Sequence, residues 1–276
     1  MNTLETLATL ETQNVLKSAL NDLKETFRRF PVSIFLAFED IRDRFNRMAL
    51  GILWLPISFI LFVLVKVVIF SQLNNTSMSW FFVYTALGLW VWTFIVALII
   101  DGCNAFIRSA PYIKAINLPY GIYCIRVVIR SAVPYILSLG FILLSIPVFR
   151  ESFHLPSLIW ILPVSLIYFI NGFWVSLFLG TISAIYRDIT QIVQTLIRMM
   201  FFLTPVLWVP EQLGEIGKNV ALYNPLAHFI AIVRDPIMYG TVPVLSWIIV
   251  LAITLIGLLS GILIFGHGRP RVYHFV

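Results

Sequence analysis

Apolar residues fall into long blocks separated by polar stretches, at about 50–70, 80–103, 120–148, 158–184, 189–208 and 243–265. A helix rises about 1.5 Å per residue, so about 20 apolar residues cross the hydrocarbon of a bilayer, and the pattern predicts six transmembrane helices. Upstream, Ile34, Phe38, Ile41 and Phe45 recur at helical spacing, while Glu39, Asp40, Arg42, Asp43, Asn46 and Arg47 fill the other face. This predicts an amphipathic helix over 33–47 lying on the membrane surface. Leu16, Leu20, Leu23 and Phe27 repeat the spacing before Pro31, and this run is expected to be a loose surface helix. The chain therefore divides into a polar extension (1–32), an interface helix (33–47) and a transmembrane domain (48–276).

The segment 209–243 is too polar to cross and too apolar for a plain loop. Asn224 followed by Pro225 reads as an N-cap with proline at the first helical position, and the helix is expected to end near Arg234, before Pro236. The expected fold is thus an all-α polytopic membrane protein of six spans, with two short re-entrant helices before the last one. Re-entrant backbone is tolerable only where protein or a watery cavity satisfies it.

Composition agrees with this reading. Of 276 residues, 60% are hydrophobic and 12% charged, with a mean hydropathy of +0.94, more apolar surface than a water-soluble core can hide. The polar start of the chain lacks an apolar region with a cleavage site, so no cleavable signal peptide is expected and the first span does the targeting. A pI near 9.5 and net charge of +6 are read as helix orientation and contact with anionic lipid, not nucleic acid. Lys17, Lys24, Arg28, Arg29, Arg42, Arg44, Arg47, Arg108, Lys114, Arg187, Arg269 and Arg271 fall on one side of the predicted spans. Arg150, Lys218 and Arg234 fall on the other. Because Lys and Arg remain cytoplasmic, both termini are expected there and 209–243 outside. Cys103 and Cys124 then lie near the cytoplasmic side, where thiols stay reduced, and no disulfide is expected.

Four basic residues lie within or at the ends of spans: Lys66, Arg126, Arg130 and Arg198. Arg198 is about 15 Å into its helix, where facing lipid costs about 3 kcal/mol, so it should face the bundle interior. Arg126 and Arg130, four apart, share one helical face. Lys66 is expected to snorkel toward the outer surface. Trp90 and Trp92 stand in an aromatic-rich second span, either as ordinary packing and anchoring rings or as faces on which a sugar can stack.

Several chemistries find no support. The Gly217-Lys218-Asn219 run lacks the earlier glycine of a phosphate-cradling loop, so this chain is not expected to hydrolyse ATP. Asp101 is the sole carboxylate inside or bordering an apolar block, which argues against a proton-coupled carrier. His154, His228, His267 and His274 have no metal-like spacing, and no metal or other cofactor is expected. In Asp188-Ile189-Thr190-Gln191 the carboxylate can cap a helix while Gln191 reaches back.

Several stretches together resemble the permease subunits of type 2 ATP-binding cassette exporters, above all those exporting O-antigen, capsule and teichoic acid polysaccharides. They are the amphipathic helix running into Arg47-Met48-Ala49-Leu50-Gly51-Ile52-Leu53-Trp54 with Pro56, Tyr186-Arg187-Asp188-Ile189 leading to Thr204-Pro205-Val206, and Tyr223-Asn224-Pro225-Leu226 with Arg234 and Tyr239-Gly240. The resemblance covers most of the chain after Ser33; the polar extension and Lys66 depart from it. It implies a homodimer in the bacterial cytoplasmic (inner) membrane, two copies of a separate ATPase that uses the ATP, and lipid-linked polysaccharide as cargo. It further implies that the loop with Arg108, Pro111, Tyr112 and Lys114, together with Arg187 and Asp188, relays motion from the ATPase. Asn224, Pro225 and Arg234 would belong to an outer gate. Arg126 and Arg130 would then meet the pyrophosphate of the carrier lipid, or else pair with carbonyls and headgroups; Arg198, Trp90 and Trp92 would line the path. Two other readings stay open, a membrane enzyme acting on a lipid-linked sugar and an ATP-independent flippase.

Overall fold

In an apolar layer the backbone has no water to bond, so runs of Leu, Ile, Val and Phe close their hydrogen bonds within helices. The structure is a computed structural model and describes residues 17–46, 50–73 and 77–275. Residues 1–16, including Leu16 of the first amphipathic run, and Arg47, Met48 and Ala49 of the family-like stretch lie outside the described residues. Helix α1 (17–28) is followed by α2 (Phe30–Phe45), which carries Pro31 in its first turn, where the missing N–H costs nothing. Then come α3 (Trp54–Leu73), α4 (Met78–Cys103), a short α5 (Ala110–Ala115), α6 (Gly121–Ser145) and α7 (Ile161–Ile185). Helices α8 (Asp188–Leu203), α9 (Gly214–Tyr223), α10 (Pro225–Tyr239) and α11 (Val244–Phe275) complete the chain.

Among the described residues five helical stretches are long and apolar enough to cross a membrane: Gly51–Ser71, Met78–Cys103, Gly121–Ser145, Leu155–Ile185 and Val244–Phe275. The fifth predicted block, 189–208, is shorter than its sequence suggested. Its helix α8 has 16 residues and ends at Thr204, where Pro205 follows. At the helical rise it reaches about 24 Å, against about 30 Å of hydrocarbon.

Helix α4 is the axis of the bundle. It is buried without a break from Phe81 to Trp92, and α3, α6, α7, α8 and α10 all pack on it. Close approach elsewhere depends on small residues, the usual means of helix association in lipid. On α11, Gly257 and Gly261 lie against Trp174 of α7, and Gly268 against Thr181. Asn171 of α7 donates to Thr254 Oγ1 at 2.8 Å and accepts from Trp174 Nε1 at 2.8 Å, which fixes the indole over Gly257.

Helix α2 packs on α6 through Ser33, Leu36 and Ala37, while Phe35 and Phe38 remain exposed. Its tertiary contact therefore uses a narrow stripe and leaves large apolar side chains facing outward. Helix α1 is not the loose surface helix expected. Ala19, Leu23 and Thr26 are buried, and the Asp22 carboxylate accepts from the N–H groups of Tyr120 and Gly121, both at 3.2 Å, at the start of α6. Arg269, near the end of α11, pairs with Asp22 at 3.0 Å. Burial pushes the Asp22 carboxyl up, against the opposing pull of those N–H groups and Arg269. Of the periodic apolar residues Leu23 is buried while Leu20 and Phe27 are exposed, because a polar anchor sets the rotation of the helix. This contact places the two described ends of the chain at one end of the bundle.

Helices α9 and α10 form a hairpin whose apex, Asn224–Pro225, points into the bundle. Asn224 caps α10, its Oδ1 accepting from Leu226 N at 2.9 Å, with Pro225 in the first turn as expected. The same side chain donates to the Leu203 carbonyl at 3.0 Å and to Thr204 Oγ1 at 2.9 Å, tying the apex to the end of α8. Contrary to the expectation of a stop near Arg234, α10 continues through Pro236 to Tyr239 and ends at Gly240, with φ 69°. The buried Ile237 holds that last turn, its carbonyl accepting from His154 N at 2.6 Å.

A methyl group at Gly257 would overlap the Trp174 ring, whereas at Gly140 of α6 it would meet nothing. Gly257→Ala is expected to destabilise the purified protein by about 1–3 kcal/mol of overpacking, visible as a lower thermal-unfolding midpoint in detergent. Gly140→Ala should leave the midpoint unchanged. Equal behaviour of the two variants would contradict the α7–α11 contact.

Candidate functional site

Charge collects where α2, α4 and α6 meet, at the end of the bundle that holds the described termini. Arg126 Nε donates to Asp40 Oδ2 at 2.7 Å and Nη2 donates to Oδ1, a bidentate pair between α6 and α2. Arg130, one turn further along α6, lies 3.4 Å from Asp40 and 3.1 Å from Asp101, and Arg108 reaches Asp101 at 3.3 Å. The Tyr112 ring of α5 sits 4.9 Å from the Arg126 guanidinium. Sequence reading offered carbonyls, headgroups or a pyrophosphate as partners for these arginines; the structure gives them carboxylates from two other helices. Next to them opens a cavity of about 590 Å³ lined by Asp40, Arg44, Asp101, Arg108, Arg130 and Ser131. Its lining carries one more basic than acidic side chain, Arg44, Arg108 and Arg130 against Asp40 and Asp101. Arg126 is held behind this cavity and does not line it.

A second opening, a groove of about 670 Å³, runs between α3, α4 and α8. Phe62, Trp92, Phe201 and Phe202 supply aromatic walls, and Thr93, Gln194 and Arg198 the polar groups. Ile100 of α4 borders both openings, so the basic cavity and the aromatic groove adjoin along α4. Arg198 is exposed here, with Nε donating to the Gln194 carbonyl at 3.2 Å. It faces outward from the single chain, not into its interior as expected.

Of the two tryptophans proposed for a path, only Trp92 lines the groove. Trp90 is fully buried, stacked on Tyr135 at 4.4 Å, and its Nε1 donates to the Tyr135 carbonyl at 2.8 Å. Lys66, expected to snorkel outward, stands instead against two rings of the groove wall. Helix α3 continues seven residues past Lys66. Its ammonium therefore does not snorkel to the far surface but lies 4.3 Å from the Phe62 ring and 5.3 Å from that of Phe201. The signal was present in a lone cation amid an apolar run, but the direction of the side chain depends on α8, which is distant in sequence.

The remaining predicted residues occupy the two ends. Arg108, Lys114, Arg187 and Asp188 are exposed at the end with the described termini, and Tyr112 is half-buried beside them. Asp188 is not a cap: Arg187 holds the cap position of α8, no side chain caps it, and Asp188 lies in the first turn, where its charge suits the helix dipole. At the opposite end Arg234 is buried. Its Nη1 donates to the Pro205 carbonyl at 2.7 Å and its guanidinium covers the Tyr84 ring at 4.0 Å. Asn224 and Pro225 form the hairpin apex described above. The geometry thus joins Arg130, Arg198 and Trp92 along one wall and separates them from Asn224, Pro225 and Arg234.

The chain is similar to curated O-antigen export permeases. It is 26% identical over 215 residues to the O-antigen export system permease protein RfbA of Klebsiella pneumoniae, covering 77% of this chain and 82% of that one. A second protein of that name and species is 24% identical over 214 residues, with 76% and 82% covered. The RfbA permease of Myxococcus xanthus is 22% identical over 188 residues, with 67% and 71% covered. No family model matches the chain.

The Asp40–Arg126 pair generates a stability prediction. Removing one partner of a buried ion pair typically costs about 3–5 kcal/mol, because the other charge is left uncompensated. Asp40→Ala and Arg126→Ala should therefore each lower the unfolding midpoint, and the double variant should lose less than the sum of the two. Strictly additive losses would show that the two side chains do not act as a pair.

Proposed function

We infer that this chain is the transmembrane permease subunit of a type 2 ATP-binding cassette exporter, and that its cargo is an O-antigen-like, lipid-linked polysaccharide. The carrying observation is that a basic cavity and an aromatic groove lie side by side along α4. A lipid-linked glycan has those two parts: an anionic phosphate link, which suits basic groups, and sugar rings whose C–H faces stack on aromatic side chains while their hydroxyls stay wet. The similarity to O-antigen export permeases supports the same reading.

Six crossings fit this role. With both described ends at one end of the bundle the number of crossings must be even, so α8 and the residues that follow it complete the sixth. The excess of basic residues at that end makes it cytoplasmic, in a bacterial inner membrane. An exposed Arg198 midway along α8 is costly against lipid. A second copy of the chain across a wet conduit removes that cost, so the working unit is a homodimer whose α8 helices face the path. The chain binds no nucleotide of its own; ATP is used by a separate ATPase that docks where α5 and the 186–188 turn are exposed. ATP-driven closure of that partner moves these elements, and the α9–α10 hairpin yields at the far end as a gate.

Arg198→Gln is expected to lower surface polysaccharide at least severalfold while the permease still copurifies with its ATPase. Undiminished export would remove Arg198 from the path. Topology is tested separately: a tag inserted at Thr241, in the exposed turn before α11, should read as external and one fused after Val276 as cytoplasmic. A cytoplasmic Thr241 tag would overturn the count of crossings.

A further inference from the structure

Between the arms of the α9–α10 hairpin and the start of α11 lies a cleft of about 460 Å³, open at the end of the bundle away from the described termini. It is separate from the wall on α4 used above. Pockets of 300–1,000 Å³ suit small-molecule ligands. The floor is fixed by groups that are already committed. Tyr84 is buried, stacked with Trp80 at 5.0 Å and covered by Arg234. His228 is buried between Ser246 Oγ at 2.9 Å and the Leu222 carbonyl at 2.8 Å.

The rim is not committed. Glu211 and Lys218 line the cleft, are exposed, and form no ion pair among the described residues. Asp235 lines it with its carboxylate 3.9 Å from the Arg234 Nε, beyond hydrogen-bond reach. That buried Nε–H has no acceptor although the Arg234 side chain is only 7% exposed. Tyr239 borders the cleft half-exposed, and no ring or cation among the described residues stacks on it. The cleft therefore offers two carboxylates, two cations and one free aromatic face.

This combination selects against net charge. Glu211 and Asp235 repel an anion such as phosphate, and Lys218 and Arg234 repel a cation. Vicinal hydroxyls, which donate and accept together, match carboxylates beside cationic donors, and the C–H face of a sugar ring matches the free tyrosine. We propose that this cleft binds an uncharged glycosyl residue of the glycan as it leaves the membrane, so that the hairpin holds the emerging chain. The proposal rests on the export reading for the source of the sugar.

The probe is the surface polysaccharide of the source strain, freed of lipid and cut to oligosaccharides. It is offered to the permease–ATPase complex in lipid nanodiscs and followed by saturation-transfer NMR. Transfer to the ring protons of a neutral sugar residue is expected, with affinity about tenfold weaker in Tyr239→Ala, retained in Tyr239→Phe, and reduced in Glu211→Gln. Inorganic pyrophosphate should not compete. No transfer to the native complex, native affinity in both Tyr239→Ala and Glu211→Gln, or displacement by pyrophosphate would each overturn the proposal. Deletion of the gene tests the export reading independently: surface polysaccharide that persists defeats that reading, whereas its loss alongside absent binding defeats only the cleft.

Discussion

A chain that breaks its helix inside an apolar layer must find partners for the carbonyls it frees, and much of this architecture follows from how that is done after α8. Three side chains do it. Asn224 serves the Leu203 carbonyl and also bonds the Thr204 hydroxyl, Arg234 serves the Pro205 carbonyl, and the Tyr84 hydroxyl donates to the Trp208 carbonyl at 2.9 Å with that of Pro205 3.3 Å away. Arg234 also covers the Tyr84 ring, so one cation joins α10, α4 and the 205–208 segment. Because these bonds hold the hairpin apex deep in the bundle, α8 ends early and keeps one face open. That open face is the wall of the groove, and the open side of the hairpin is the outer cleft.

The five long apolar helices, the shorter helix ahead of them and the Asn224 cap were legible because each depends on residues close in sequence. Periodicity needs only neighbours, and an N-cap only the next three residues. The rotation of α1 was not legible. Leu20 and Phe27 advertise an apolar face, but Asp22 decides the docking by binding two N–H groups some hundred residues away. The partners of Arg126 and Arg130 were hidden for the same reason: Asp40 read as part of a solvated helix face, and Asp101 only as an argument against proton coupling. Lys66 was misdirected because a cation near a helix end has two ways to turn, and only the position of Phe201 on α8 settles which.

The two candidate regions differ in how their charges are kept. At the end with the described termini, Arg126 and Arg130 are already paired with carboxylates, so their first role is to hold α2 against α6. An anion arriving in the adjoining cavity competes with Asp40 and Asp101 for Arg130, whereas Arg126, engaged twice by Asp40 and behind the cavity, remains locked. Charge in this cavity can therefore be exchanged without unfolding the site. A cluster built only of unpaired arginines would bind an anion more tightly and release it less readily, which suits storage better than passage.

The same logic explains why Arg198 and Lys66 differ from Arg130. Neither has a carboxylate beside it among the described residues: Arg198 bonds a carbonyl of its own helix, and Lys66 rests over two rings. In an apolar layer such cations are stable only next to water or a passing anion, so the groove they border must be wet whenever it is not occupied. In the homodimer proposed above a second copy covers this groove in place of lipid, each chain contributing one aromatic wall, while the basic cavity and the outer cleft are lined within each chain.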